Sequence, residues 1–446
     1  MRKRKDLKDL VSFKFLGGAS EVGRSSFVVE YGEHSKPLER VVLDDGMKVA
    51  EQEGEPTQFP ERFEKFVDAV IVSHAHLDHS GNIPSKFAKS GKTLAYSTPP
   101  TLDIAHLLWL DSLKISRADQ VYLPFDELEI TAANQNAFTL GYKKELPITD
   151  NTVLKFHDAG HIPGSALTAL HSNVNGRDVS VMYTGDFHLQ DTRLVKGAKL
   201  PSEEFDVLIT ESTYADKDHP PRNETEKAFL EDVEAVIEND GTALVASFAV
   251  GRCQELIHLL ASERFGVPIY LDGMGQKACQ IVLRYPEFVR DYRELKKAID
   301  KTIWVKHMRM RQKLAKDNEP KIIITSAGML NGGPVVFYLK HHAKDPNSKV
   351  FLTGYQVAGT NGRRLLDTGS VVIDGEEVSV KMKAQKYDFS AHAGKKELQA
   401  LVKKVNPEKL ICVHGDPKNT KALKEWAESE TGIESFAPAV GDSVKW

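Results

Sequence analysis

The strongest constraint on this chain is a burst of polar residues at the end of an apolar run. Ala69-Val70-Ile71-Val72-Ser73 leads directly into His74-Ala75-His76-Leu77-Asp78-His79. The β-branched run reads as a buried strand, so the histidines fall on the loop at its C-terminal end, where a rigid scaffold presents reactive groups. Three imidazoles and a carboxylate within six residues can serve two metal ions only if their side chains splay to different sides. An irregular loop permits that and a regular helix does not. Imidazole and carboxylate without thiolate suit Zn²⁺, with Mn²⁺ as the harder alternative. A chance cluster of surface histidines is the competing reading, but 16 histidines in 446 residues make this spacing rare by accident.

Three more positions fit the same chemistry. His161 stands in Asp158-Ala159-Gly160-His161, Asp186 in Thr184-Gly185-Asp186, and His414 in Val413-His414-Gly415. Each follows an apolar strand-like run and has glycine beside it. Singly, each reads as a polar loop residue; with the cluster at 74–79 they complete two metal spheres.

The rest of the sequence sets the frame. At about 150 residues per domain, 446 residues make two large domains or three ordinary ones. With 41% hydrophobic and 27% charged residues, disordered and coiled-coil readings fall away. No apolar run reaches the roughly 18 residues that span a bilayer, and the basic start, Met1–Leu10, leads into no signal-like stretch. A soluble, cytoplasmic protein with no membrane partner is expected. The net charge of -4 does not announce a nucleic-acid binder. Cys253, Cys279 and Cys412 form no CxxC pair, which argues against a disulfide framework.

The first part reads as β-rich, with a hairpin at Asn175-Gly176. From Thr225 onward, helical runs such as 226–239, with Phe229, Val233, Val236 and Ile237 on one face, alternate with strand-like runs at 242–248, 267–273, 321–328 and 349–355. Such alternation predicts a parallel sheet with crossover helices. The expected division is a β-rich domain over 1–212, an inserted α/β domain over 213–384, and a return to the first domain over 385–446.

Taken in order, the His74–His79 cluster, His161, Asp186 and His414 give a chain that resembles the metallo-β-lactamase superfamily. The resemblance implies an α/β fold, an αββα sandwich, around a binuclear zinc centre. His74, His76 and His161 would hold one metal, Asp78, His79 and His414 the other, and Asp186 would bridge them. Asp44 would orient the loop from behind. The inserted domain, with Glu211 in Thr210-Glu211-Ser212, His392 in Ser390-Ala391-His392, and His414, is similar to the β-CASP nucleases, in archaeal and bacterial members like RNase J or the nuclease subunit of the cleavage and polyadenylation factor. Histidine at 414, where DNA-acting relatives carry valine, points to RNA.

That likeness sets the chemical expectations. Asp78, His392 and Glu211 are the expected catalytic residues: a hydroxide held between two zinc ions attacks the phosphodiester, and His392 protonates the leaving oxygen or steadies the phosphate. Glu211 is expected to orient a metal-binding histidine. Ser247, Arg252, Ser326, Gly328 and Ser390, on strand-to-helix turns, are the expected RNA-phosphate contacts, since glycine lets the backbone approach a phosphate and helix N-termini favour anions. No accessory domain fits before the first strand or after Trp446, so a minimal catalytic core is expected, and a homodimer is the self-association the reading allows. Threading of single-stranded RNA from a 5′-monophosphate end, 5′→3′, is the favoured activity. Endonucleolytic 3′-end processing is the alternative, and an inactive RNA-processing scaffold is remote because every ligand position is filled.

Overall fold

In the computed structural model, residues 10–33, 36–49, 55–87 and 93–446 are described; most of the basic start, residues 1–9, lies outside them. Strands rich in Val, Ile and Phe build two mixed sheets of seven strands each. In the first, Val11–Gly17, Ser26–Glu33 and Lys36–Leu43 form an antiparallel meander, which Ala69–Ile71, Leu94–Ser97 and Ala137–Thr139 extend in parallel. In the second, Glu145–Pro147, Thr152–Asp158, Ala166–Val174 and Arg177–Tyr183 run antiparallel, and Val207–Glu211, Lys409–Val413 and Glu434–Phe436 add in parallel. Asn175 and Gly176 both take positive φ, 53° and 79°, as a tight two-residue hairpin turn requires.

The period-two alternation of these strands decides the layering. One set of side chains, including Phe13, Phe15, Tyr31, Phe156, Val181 and Ile209, meets between the two sheets. The opposite face of the first sheet, with Val28, Val42 and Val70, packs under Ile104, Leu108 and Trp109 of the helix Pro99–Asp119. The opposite face of the second sheet packs under the helices Lys395–Val405 and Pro417–Thr431 through Leu398, Leu401 and Leu423. The result is the expected αββα sandwich. The first part is β-rich as expected, and it also carries two unanticipated helices, Pro99–Asp119 and Glu127–Gln135. The first starts where Thr98 accepts from the Thr101 N–H and proline occupies the first turn.

Between Glu211 and Lys395 the chain builds a six-stranded parallel sheet in the order Ile303–Trp304, Ile269–Asp272, Lys321–Thr325, Thr242–Ala246, Lys349–Leu352, Lys383–Lys386. Its central strands are apolar on both faces because helices cover both: Ile322 and Ile324 belong to one core, Ile323 to another. The strand Lys383–Lys386 straddles the expected boundary at 384 and pairs inside this sheet with Lys349–Leu352. Among the described residues no helix is long and apolar enough to cross a membrane.

Phe229, on the helix Arg222–Glu238, ties this domain together. Its buried ring meets Phe351, Tyr387 and Phe389 edge-on at 5.3, 5.2 and 5.3 Å between centroids. Phe229→Ala should therefore destabilise the protein by about 3–5 kcal/mol, the usual range for deleting a buried aromatic. A urea melt reads this as a lower midpoint; an unmoved midpoint would show that the cluster carries no such weight.

Candidate active site

Local sequence explains how the centre is assembled. The strand Ala69–Ile71 delivers Ser73 and His74, and extended backbone at His76 precedes a single helical turn, Leu77–Ser80, that carries Asp78 and His79. The expected irregular loop is thus half loop, half helical turn, and the break at His76 separates the two sets of side chains. His161 follows Thr152–Asp158, Asp186 follows Arg177–Tyr183, and His414 follows Lys409–Val413. Asp44 and His414 both adopt left-handed backbone, φ 57° and 46°, an uncommon conformation outside glycine that marks constrained sites.

The seven expected ligand residues come together as two groups that share Asp186. In each group the ligand atoms lie within 4.8 Å of one another: His74, His76, His161 and Asp186 in one, Asp78, His79, His414 and Asp186 in the other. Asp186 faces both ways. Its Oδ2 is 3.5 Å from His74 Nε2 and 3.9 Å from His161 Nε2, while Oδ1 is 3.4 Å from His79 Nε2 and 3.6 Å from His414 Nε2.

The far nitrogens of four histidines are held, which aims their Nε2 atoms inward. His161 Nδ1 donates to the Ala391 carbonyl at 2.8 Å, and His79 Nδ1 to Asp44 Oδ2 at 2.7 Å. Ser73 Oγ gives its proton to Asp44 at 2.6 Å and accepts from His74 Nδ1 at 3.1 Å. His414 Nδ1 lies 2.9 Å from Ser25 Oγ. Asp44, fully buried, also accepts from Tyr183 Oη at 2.7 Å and the Ser73 N–H at 2.7 Å. Sequence reasoning missed Ser25, Ser73 and Tyr183. Only Ser73, adjacent to His74, offered a local signal; the other two approach through long-range strand pairing.

The donor set fits divalent cations. Among the described residues, buried His74 Nε2, His79 Nε2 and Asp186 Oδ1 have no hydrogen-bond partner, and unsatisfied buried polar atoms call for one. Without a cation the electrostatics pull apart. Burial and neighbouring imidazoles hold His74 and His161 well below the usual histidine range. Burial also works against a charged His79, yet Asp186 and Asp78 outweigh it and raise it well above that range. Burial would raise the Asp186 carboxyl, but His79, His414 and His392 hold it well below the carboxylate range.

Glu211 corrects an expectation. Its partner is not one of the five expected ligand histidines but His392, whose Nδ1 is 3.1 Å from Glu211 Oε2; Glu211 Oε1 accepts the Phe187 N–H at 2.9 Å. Glu211 therefore braces His392 and the residue beside Asp186 together. His392 Nδ1 also lies 3.7 Å from Asp186 Oδ2.

The expected RNA contacts divide into three sites. Ser247 and Ser326 end neighbouring parallel strands, paired at Ala246 and Thr325, and Gly328 abuts them: a Cβ there would stand 3.1 Å from the Phe248 nitrogen. Ser390 belongs to the His392 turn, its Oγ accepting the His392 N–H at 3.2 Å. Arg252 turns inward, its guanidinium bonded to buried Glu255 and 5.7 Å from the Phe389 ring. It is thus committed to the protein rather than offered to a phosphate.

Comparison with known proteins agrees with this geometry. Residues 253–365 match the Beta-Casp domain, and residues 377–438 match the Zn-dependent metallo-hydrolase RNA specificity domain. The chain is 35% identical to the Probable RNase MJ4 of Methanocaldococcus jannaschii over 97% of this chain and 99% of that one. It is 36% identical to RNase aCSPSF2 of Saccharolobus solfataricus, over 97% of this chain and 84% of that one. It is also 36% identical to the Transcription termination factor FttA of Pyrococcus horikoshii, over 96% and 70%.

The chain belongs to the β-CASP ribonuclease family of the metallo-β-lactamase superfamily.

A solved protein of unknown function from Enterococcus faecalis V583 shares the fold, with a TM-score of 0.59 at 15% identity over 98% of this chain and 100% of that one. As a β-CASP ribonuclease the chain is a metal-dependent hydrolase of RNA, and its His/Asp groups fit the metal site that such an enzyme needs.

In the metal-free protein, burial pulls His392 down, but Glu211 and Asp186 outweigh it and lift it to about 9. A charged His392 thus adds stability that is complete below its ordinary 6.5 and fades as pH rises through about 9. Glu211→Gln should move the His392 titration downward in imidazole NMR spectra of the metal-free protein. An unmoved titration would show that another group holds the proton.

Proposed function

We propose that this β-CASP ribonuclease binds two zinc ions and degrades 5′-monophosphorylated single-stranded RNA from its 5′ end. His74, His76 and His161 would hold one ion, Asp78, His79 and His414 the other, and Asp186 both; Mn²⁺ is the alternative metal for such oxygen and imidazole ligands. When bound, the ions supply Lewis-acid stabilisation of the phosphodiester and lower the pKa of an attacking water. His392, kept protonated by Glu211, delivers a proton to the leaving oxygen. Asp44, Ser73 and Ser25 fix ring orientation and tautomer.

The observation that carries the direction is the Ser247–Ser326–Gly328 turn cluster. Ser247 is buried, with its hydroxyl against the Cys253 thiol. Gly251, in the same turn and at φ 76°, has no room for a Cβ, which would meet Ile162 at 2.6 Å. The turn therefore rests on the residue next to His161. Small side chains and close backbone, one residue from His161 through Ile162, suit a terminal phosphate held one nucleotide from the scissile bond. A second reading, endonucleolytic cleavage for RNA 3′-end processing, is favoured by relatives named Transcription termination factor FttA.

Purified protein should carry about two zinc ions per chain by elemental analysis, and Asp186→Ala should lose both metal and cleavage. His392→Ala should keep the metal yet lose about 10²–10⁴ in rate; a matching loss of metal would make it a ligand instead. On 5′-labelled RNA, label should leave as mononucleotide at the earliest times, and Ser247→Ala should blunt the preference for a 5′ monophosphate. Early long fragments, or circular RNA cut as fast as linear RNA, would establish the endonuclease.

A further inference from the structure

Beyond the metal centre, the C-terminal ends of the parallel sheet leave two aromatic rings in solvent. Phe248 follows Thr242–Ala246 and Tyr355 follows Lys349–Leu352, strands that pair directly. The two side chains are 39% and 53% exposed. Phe248 reaches across to the neighbouring strand end because residue 354 is glycine: a Cβ there would stand 2.6 Å from Phe248 Cε2. The next strand over ends at Lys386, paired with Leu352, and Lys386 Nζ lies 5.5 Å from the Tyr355 ring centroid. Three adjacent strand ends thus present ring, ring and cation in a row.

The row starts at the centre already described. Phe248 adjoins Ser247, and the same turn touches Ile162, next to His161. Carboxyl ends of parallel strands are the usual place for a ligand. Aromatic faces flanked by cations are what a single-stranded nucleic acid uses without sequence readout, because every base has a π-face.

We propose that Phe248 and Tyr355 form a stacking platform for bases of single-stranded RNA next to the scissile phosphate, with Lys386 meeting the phosphate backbone. The proposal rests on the ribonuclease reading and adds where the bases go. One face of Tyr355 takes a base while Lys386 lies over the ring. Phe248 takes the neighbouring base nearer the Ser247 turn.

The test uses the zinc-loaded full chain and linear RNA carrying a single abasic nucleotide, moved stepwise along the strand. Tyr355→Ala and Phe248→Leu, the latter keeping apolar packing on Gly354, should each raise KM about five- to hundredfold, the range for losing one stacked base. Tyr355→Phe should stay near wild type. At one position the abasic nucleotide should weaken the wild type by a similar factor and the Tyr355→Ala variant no further. Unchanged KM in both variants, or an abasic penalty equal in variant and wild type, would overturn the platform while leaving the ribonuclease in place. Failure of the wild type to cleave any RNA would overturn both.

Discussion

A buried carboxylate with imidazoles on both sides governs this molecule's active region. Asp186 is 1% exposed and turns one oxygen toward His74 and His161 and the other toward His79 and His414. In a low-dielectric site such a charge is tolerable only beside positive charge. The histidine shifts in the absence of a cation, with His74, His76 and His161 held down and His79 lifted, show four rings competing to be that charge. A divalent cation bound there would end the competition, because each ring could then stay neutral and give its lone pair. Asp44 makes that possible from behind: by accepting from His79, and through Ser73 from His74, it forces the tautomers that leave both Nε2 atoms free.

The inserted domain joins this centre through buried charge as well as apolar packing. Glu255 binds both Arg222 and Arg252, and the two guanidiniums lie 4.9 and 5.7 Å from the ring of Phe389. Burial pushes the Glu255 carboxyl up, yet the two arginines outweigh it and hold it below its usual range. Burial pulls the Arg252 guanidinium down to about 10 even so. Arg222 also donates to the Ser390 carbonyl at 3.2 Å, two residues before His392. Removing one member of such a buried set leaves an uncompensated charge, at roughly 3–5 kcal/mol. The segment 389–392 is therefore gripped from the inserted domain by arginines and from the sandwich by Glu211 and by His161, which donates to Ala391.

What the sequence made legible was local. Apolar runs ending in His, Asp or Gly identified the strand ends that meet at the centre, because ligand type and strand pattern are both encoded within a few residues. The parallel sheet of the inserted domain was legible for the same reason, since runs such as Ile322-Ile323-Ile324 are apolar on both faces. The helix Pro99–Asp119 is hidden among β-branched runs in the sequence, although Thr98-Pro99-Pro100 starts it and Ile104, Ala105, Leu108 and Trp109 stripe it. Arg252 reads from sequence as a phosphate contact because a cation at a helix start looks available. Its partner Glu255 lies one turn along the same helix, but only the fold brings Arg222 and Phe389 to the pair. Glu211 reads from sequence as a positioning group, yet which histidine it meets depends on a partner 181 residues away.

Those two attachments limit how the enzyme can discriminate among substrates. On the far flank, Asp103 of the sandwich receives Tyr285 and Arg284 of the inserted domain, and one apolar core runs unbroken from Val70 and Trp109 to Phe229 and Leu256. Opening the two halves would expose that core and pull Phe389 and the Ser390 carbonyl away from Arg222 and Arg252, two losses that do not occur in independent steps. A hinge that opens and closes on RNA is therefore the costly solution for this fold. On the proposed reading, discrimination would fall to fixed features at the strand ends: small residues at 247, 326 and 328, a glycine at 354 that admits a ring, and Lys386 beside Tyr355. Because those turns end strands buried on both faces, their spacing relative to His161 is set by the sheet itself rather than by the substrate.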